Sequence, residues 1–334
     1  MIQVLLISLF PIFAVMVAGY IAGKRGRVDN RNVASLNVLT MEFALPAALF
    51  ATTARASRTV LAEQWPLLVT LLVAMLVVFL LVWLLARFSF RTSSAVAAVI
   101  ALSVSLPNYA AAGIPLASAV FGATGKLYIT TAIVSGAIVM SPLTLAFLEA
   151  SKTQGEVSGL RLLFQSVGRS MLKPLVIAPF LGVAIALTGF ALPTFILRSF
   201  DLLGQATAGV ALFVTGLILS AQKVSWSPRI IGLSLLCNVV QPLIAIPLTW
   251  FIPMTPEMAH AVILLTALPA GFFGLLFALR YQADSRDAGS IMVVSTLLSL
   301  FTLTAALWLT QVSVPVASPA ATLPSARSVA LVLH

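Results

Sequence analysis

Long apolar runs, separated by short basic stretches, dominate the chain. Ten of them approach twenty residues, near 3–22, 33–53, 65–86, 95–121, 127–148, 172–191, 200–220, 230–251, 258–279 and 288–310. About twenty apolar residues in a helix cross a hydrocarbon core of roughly 30 Å. The runs are continuous, whereas a membrane β-barrel alternates over segments of about ten residues. The pattern therefore predicts an all-α polytopic membrane protein with ten transmembrane helices. Composition agrees: of 334 residues, 60% are hydrophobic and 8% are charged, with a mean hydropathy of +1.10. One soluble core cannot hide that much apolar surface, which excludes an ordinary soluble enzyme. Disorder needs the opposite composition.

The formal net charge of +10 resembles a nucleic-acid signal until the charges are placed. Of the 19 Lys and Arg, 14 fall after the odd-numbered runs, among them Lys24, Arg25, Arg87, Arg91, Arg229, Arg280 and Arg286. Five, namely Arg55, Arg58, Lys126, Arg198 and Arg327, fall on the other side. The positive-inside rule then puts both termini in the periplasm of a bacterial inner membrane, with the loop 150–171 in the cytoplasm. No nucleic-acid partner is expected. The N-terminus lacks a basic n-region, so no cleavable signal peptide is expected. The lone Cys237 can form no intramolecular disulfide.

The chain also repeats itself. Pro11 and Pro174 are 163 residues apart, and Pro66 and Pro228, like Pro107 and Pro269, are 162 apart. Gly19 and Gly182 each follow the first proline of their half by eight residues. The organisation predicted is a first five-helix repeat over 1–149, the loop 150–171, a second over 172–310, and a periplasmic tail over 311–334. Five spans per half is odd, so the second half inserts upside down, the inverted-repeat plan of secondary transporters.

Chemistry is concentrated in two runs. The fourth carries Pro107, Asn108, Tyr109, Gly113 and Pro115, and the ninth carries Pro269, Ala270, Gly271, Phe272 and Gly274. Proline removes a backbone donor and clashes with the preceding turn. Both breaks are expected near the midplane, in matching positions of the two halves, the sequence pointer to a transporter site. Half-helices starting there would aim N–H groups and positive dipole ends at an anion. Asn108 adds an amide donor and Tyr109 a hydroxyl. The alternative is that the prolines are plain kinks. Glu42 lies near the centre of the second run, where a charge costs roughly 2.5–3.5 kcal/mol. It is a candidate coupling residue carrying a proton, or a neutral structural acid. Asn238 and Gln241 flank Pro242 and read as interhelical hydrogen-bonding groups. No His, Cys or acidic cluster has metal spacing, and no nucleotide or hydrolase motif occurs.

The segments Phe43–Phe50 (FALPAALF), Leu106–Leu116 (LPNYAAAGIPL), Phe213–Lys223 (FVTGLILSAQK) and Ala270–Tyr281 (AGFFGLLFALRY) resemble the auxin efflux carrier family and, within it, bacterial malonate transporters. The resemblance covers nearly the whole chain to about residue 310. It implies a bile-acid-sodium-symporter-like fold with broken crossing helices 4 and 9. It also implies a homodimer through helices 1, 2, 6 and 7, and elevator-type movement of the rest. In plant auxin carriers amide residues follow both crossing prolines. Asn108 fits that pattern, and Ala270 departs from it.

The reading that follows is a carrier for a small organic anion, malonate or a related dicarboxylate, with no cofactor beyond a coupling H+ or Na+. An uncoupled efflux carrier for an auxin-like monocarboxylate is the alternative. An enzyme would need a clustered nucleophile, base or metal site, and a channel a continuous polar path; the sequence offers neither.

Overall fold

The computed structural model describes residues 2–30, 33–152, 174–221 and 224–310. Most of the loop expected at 150–171, and the tail at 311–334, lie outside the described residues. The rest is helical: α1 Ile2–Lys24, α2 Ser35–Ala54, α3 Trp65–Ser89, α4 Ser94–Ser105, α5 Tyr109–Gly122, α6 Leu127–Ser151, α7 Pro174–Thr188, α8 Thr194–Ala221, α9 Pro228–Phe251, α10 Pro256–Thr266, α11 Phe273–Arg280 and α12 Arg286–Leu309. Six of these, α2, α3, α6, α8, α9 and α12, are long and apolar enough to cross a membrane. No strand occurs among the described residues, and one isolated antiparallel pairing joins Pro107 to Ala270. The chain is thus a multi-pass, all-helical membrane protein. Large apolar side chains such as Phe10, Leu80, Trp250, Phe301 and Trp308 point outward, as a lipid-facing surface requires.

Prolines shape the helices in a way that hydrophobic periodicity hides. The π-helical turns Leu39–Ala44, Tyr109–Gly113, Gly136–Met140 and Leu236–Val240 each end two residues before a proline. Those prolines are Pro46, Pro115, Pro142 and Pro242. A proline ring collides with the carbonyl four residues earlier and leaves it without a donor. Widening that turn by one residue makes room for the ring without ending the helix.

Two sets of helices pack chiefly among themselves. In one, α1 runs along α8, and α2 along α7 and α8; in the other, α3, α4, α6 and α9 to α12 pack together. Glycines set the closest approaches of the first set. A Cβ on Gly19 would strike the carbonyl of Phe213, and one on Gly182 would strike Thr53 and the carbonyl of Phe50. Small residues at membrane helix contacts permit this approach.

Candidate functional site

The site is built on two interruptions that meet. Leu106, ahead of Pro107, is extended, with φ −103° and ψ 101°, as a residue before proline prefers. Asn108 then restarts the helix: its side-chain Oδ1 accepts from the Ala111 N–H at 3.1 Å, an N-cap. The second interruption spans residues 267–272, between α10 and α11. The two lie side by side. The Asn108 N–H donates to the Pro269 carbonyl at 2.8 Å, and the Gly271 N–H to the Leu106 carbonyl at 3.0 Å. A buried backbone deprived of its helix must find other partners, and here each break supplies the other's. Gly271 is required at this pairing, because a Cβ there would sit 2.7 Å from the Leu106 carbonyl oxygen.

Next to the first break lies a cavity of about 240 Å3. Leu106, Pro107, Tyr109 and Ala110 form one wall, α2 contributes Leu45 to Thr52, and α8 contributes Gly204 to Ala208. Among the described residues none of its walls is charged. Pro107, Tyr109 and the break itself were expected at a site; the α2 and α8 walls were not. Only their small residues, Ala48, Gly204 and Ala208, hinted at open space.

The expected anion holders divide. Asn108 is 1% exposed, and its Nδ2 is buried with no hydrogen-bond partner. Of the two expected side-chain donors, Asn108 and Tyr109, it is the one left unused. The first-turn amides of α5 are largely taken: Tyr109 N–H donates to Pro107, Ala111 N–H to the Asn108 side chain, and Ala112 and Gly113 N–H to the Asn108 carbonyl. The hydroxyl of Tyr109 donates to Met75 Sδ at 3.8 Å, so it does not serve as the donor expected of it. At the second break the Ala270 N–H donates to Ser295 Oγ at 2.8 Å, and Ala270 and Phe272 are fully buried. Of the expected set only Pro107 and Tyr109 line the cavity; Asn108 and Gly113 in the first break, and Pro269, Ala270, Gly271 and Phe272 in the second, do not. Gly113 makes its close approach to side chains, Ile129 and Leu268, rather than to backbone.

Asn238 and Gln241 act as interhelical bonds. Asn238 Oδ1 accepts from Ser295 Oγ at 2.5 Å, and its Nδ2 donates to the Ser295 carbonyl at 2.9 Å. Gln241 Nε2 donates to the Ser105 carbonyl at 2.9 Å. Ser295, in α12, was missed because a lone serine in an apolar run carries no signal. Glu42, expected in a polar cavity, bonded or protonated, is ion-paired with Arg280 at the end of α11. The pair borders a small cavity of about 60 Å3 with Met41, Pro174 and Tyr281. Among the described residues no group of three His, Cys, Asp or Glu could hold a metal.

Comparison with known proteins fits this geometry. The family described as "Membrane transport protein" matches residues 4–308. "Uncharacterized transporter YfdV" of Escherichia coli strain K12 is 28% identical over 305 residues, covering 90% of this chain and 96% of that protein. The YfdV of Shigella flexneri is equally similar. A "Putative malonate transporter" of Rhizobium meliloti strain 1021 is 28% identical over 142 residues, covering 41% of this chain and 43% of that protein.

Proposed function

Because this chain belongs to the membrane transport protein family, the auxin efflux carrier family that its motifs resemble, and is a transporter rather than an enzyme, we propose that it is a secondary carrier of malonate or a related dicarboxylate in a bacterial inner membrane. The observation that carries this reading is the pair of mutually bonded breaks beside a cavity, with the Asn108 Nδ2 donor left unpartnered. A buried donor without a partner costs about 1–3 kcal/mol, and a substrate carboxylate recovers it. The malonate name belongs to a relative matched over less than half of either chain.

In this reading α4 with α5, and α10 with α11, are each one broken span, so the twelve helices make ten spans in two inverted halves. Symmetric contacts support the repeat. Gly182 lies 163 residues after Gly19, and Phe213 lies 163 after Phe50, so the Gly19–Phe213 approach and the Gly182–Phe50 approach are the same contact made twice. The set α1, α2, α7 and α8 is the static scaffold and dimer surface, and the other set moves as an elevator. Both termini are periplasmic. Glu42 on the scaffold and Arg280 on the moving part form a latch on the cytoplasmic side. Moving one negative charge inward against 100 mV costs about 2.3 kcal/mol, so uptake of a dianion needs a co-transported cation. A proton on Glu42 would release Arg280 and couple movement to uptake. For Na+, which takes oxygen ligands, Ser105 Oγ and Gln241 Oε1 are buried and without hydrogen-bond partners.

One observation favours a second reading: the cavity walls are mainly apolar, with Leu45, Leu49, Ile114, Ile133 and Phe273 among them. Such walls suit an auxin-like monocarboxylate leaving the cell without coupling. Radiolabelled flux into liposomes containing the purified protein, over a panel of mono- and dicarboxylates, decides. Saturable malonate uptake with counterflow is expected. Linear, unsaturable flux would make the protein a channel, and flux confined to aromatic monocarboxylates would favour the second reading. Glu42→Gln should abolish concentrative uptake while sparing exchange between equal pools. Normal pH-dependent accumulation by that variant would remove the coupling role.

A further inference from the structure

Among the described residues the crossing cavity has no charged wall, and most amides near it are already bonded, so a substrate's negative charge must be met elsewhere on its way in. We propose that Arg55 is the carboxylate-capturing residue at the mouth of this cavity, and that Asp201 holds its guanidinium ready until substrate takes over. The proposal rests on the carrier reading above.

One face of α2 leads from the crossing to this arginine. Leu45, Ala48, Leu49 and Thr52 line the crossing cavity. Their spacing of three, one and three residues keeps them on one side of a helix. The next positions of that stripe are Arg55 and Ala56. Both line a second space of about 210 Å3, together with Thr52, Leu127 and Thr130. Thr52 is a wall of both spaces, so the two adjoin the same residue. Three residues of helix separate Thr52 from Arg55, about 4.5 Å along the axis. Among the described residues Arg55 is the one charged residue lining either space.

Asp201 lines neither. It comes from α8, three residues before Gly204 and four before Gln205, which are walls of the crossing cavity. Arg55 Nη1 donates to Asp201 Oδ1 at 2.6 Å, and Nη2 pairs with Oδ2. The guanidinium is therefore held by a carboxylate that lines neither space, on a residue that lines the second one. A guanidinium has five N–H donors, and a bidentate partner occupies two of them. The side chains are 43% and 34% exposed, and a pair so exposed contributes little net stability. Exchanging Asp201 for a substrate carboxylate swaps like for like. A basic residue at a low-dielectric mouth also raises the rate at which anions arrive.

The test uses radiolabelled malonate and the full-length protein in liposomes, at low and high ionic strength, with wild type measured first. No saturable malonate flux in wild type would sink the malonate-carrier reading itself. Given such flux, Arg55→Gln should raise KM about tenfold at low salt, with little change in Vmax. The wild-type KM should climb with ionic strength while that of R55Q stays flat. Asp201→Asn frees the guanidinium, so KM should match wild type or fall. If the pair is merely a structural brace, D201N and R55Q lose activity alike, and that result overturns the proposal. The double exchange Arg55→Asp with Asp201→Arg keeps the pair but moves the cation off the mouth. Capture predicts a raised KM for it, whereas a brace predicts wild-type behaviour. This variant keeps the question open to refutation even where R55Q inserts poorly, and an unchanged KM in R55Q overturns the proposal directly.

Discussion

The two breaks look equivalent along the chain and are not equivalent in their surroundings. The second is pinned. Its Ala270 N–H is held by Ser295, Ser295 is held by Asn238, and both partners come from helices of the same packed set. The first is tied only ahead of its proline, where Gln241 Nε2 donates to the Ser105 carbonyl. Counting back 162 residues, the offset of the crossing prolines, from Ser295 and Asn238 reaches Ile133 and Leu76, and neither can reproduce the network. Met75, the neighbour of Leu76, receives the weak Tyr109 O–H contact. Asn108 caps its own helix and leaves Nδ2 without a partner. Under the inverted-repeat reading proposed above, the labour is divided: one copy would fix the geometry of the crossing, and the other would keep a donor for substrate. Where buried polar groups are all bonded the role is structural; where one is left over, a ligand has something to complete.

The largest effect should come from exchanging glycine for alanine in the two halves. Gly271→Ala puts a methyl 2.7 Å from the Leu106 carbonyl oxygen. Backbone cannot rotate away, so the pairing of the breaks must open. Two buried backbone groups would lose partners, at about 1–3 kcal/mol each, and monodisperse protein on size exclusion should nearly vanish. Gly113→Ala meets the Ile129 Cδ1 at 2.5 Å, the tip of a flexible side chain. A strained or changed rotamer costs roughly 0.5–1.5 kcal/mol, and alanine's helix preference over glycine offsets much of it. Equal losses from both substitutions would end the distinction between a rigid and a permissive break.

A second pair separates stability from binding. Ser295→Ala strips the acceptor from the Ala270 N–H and the donor from Asn238. It should lower stability by about 1–3 kcal/mol, read as a lower melting temperature in detergent. Asn108→Ala loses an N-cap worth about 1 kcal/mol but also relieves a buried, unpaired donor, so melting should hardly move. Substrate binding should instead weaken ten- to hundredfold, since a hydrogen bond to a charged group is worth about 1.5–3 kcal/mol. Normal binding by N108A in a direct assay would place the substrate elsewhere.

How much of this could be read beforehand depended on range along the chain. Helical runs and the proline breaks are local signals, and each was legible, whereas the capping of the restarted helix by Asn108 was not foreseen. So was the paired placement of the breaks, because the repeat offset is visible in the prolines. The Glu42–Arg280 pair joins residues 238 positions apart, and the Arg55–Asp201 pair 146 apart; no local pattern encodes either. The Ser295 clamp was invisible for the same reason. The π-helical turns had a readable cause, a proline two residues beyond each of four turns, but hydrophobic periodicity tolerates one extra residue and conceals them. The cavity walls from α2 and α8 were hidden because small residues serve close packing and open space equally well.

The smallest effect concerns Tyr109, whose position beside Asn108 suggested a second hydroxyl donor to substrate. The ring is buried, and the hydroxyl reaches only the Met75 sulfur, at 3.8 Å. A thioether is a weak acceptor, so removing the hydroxyl forfeits little. Tyr109→Phe keeps the ring that walls the cavity and should alter stability by no more than about 0.5 kcal/mol, within the range of ordinary substitutions away from strong polar contacts. Binding should stay within about twofold of wild type, because the donor deleted was never aimed at the cavity. A tenfold loss of malonate affinity in Y109F, with unchanged melting, would mean that the hydroxyl leaves Met75 when substrate binds. The first break would then offer two donors rather than one, and the contrast between the two halves would be larger than the resting structure displays.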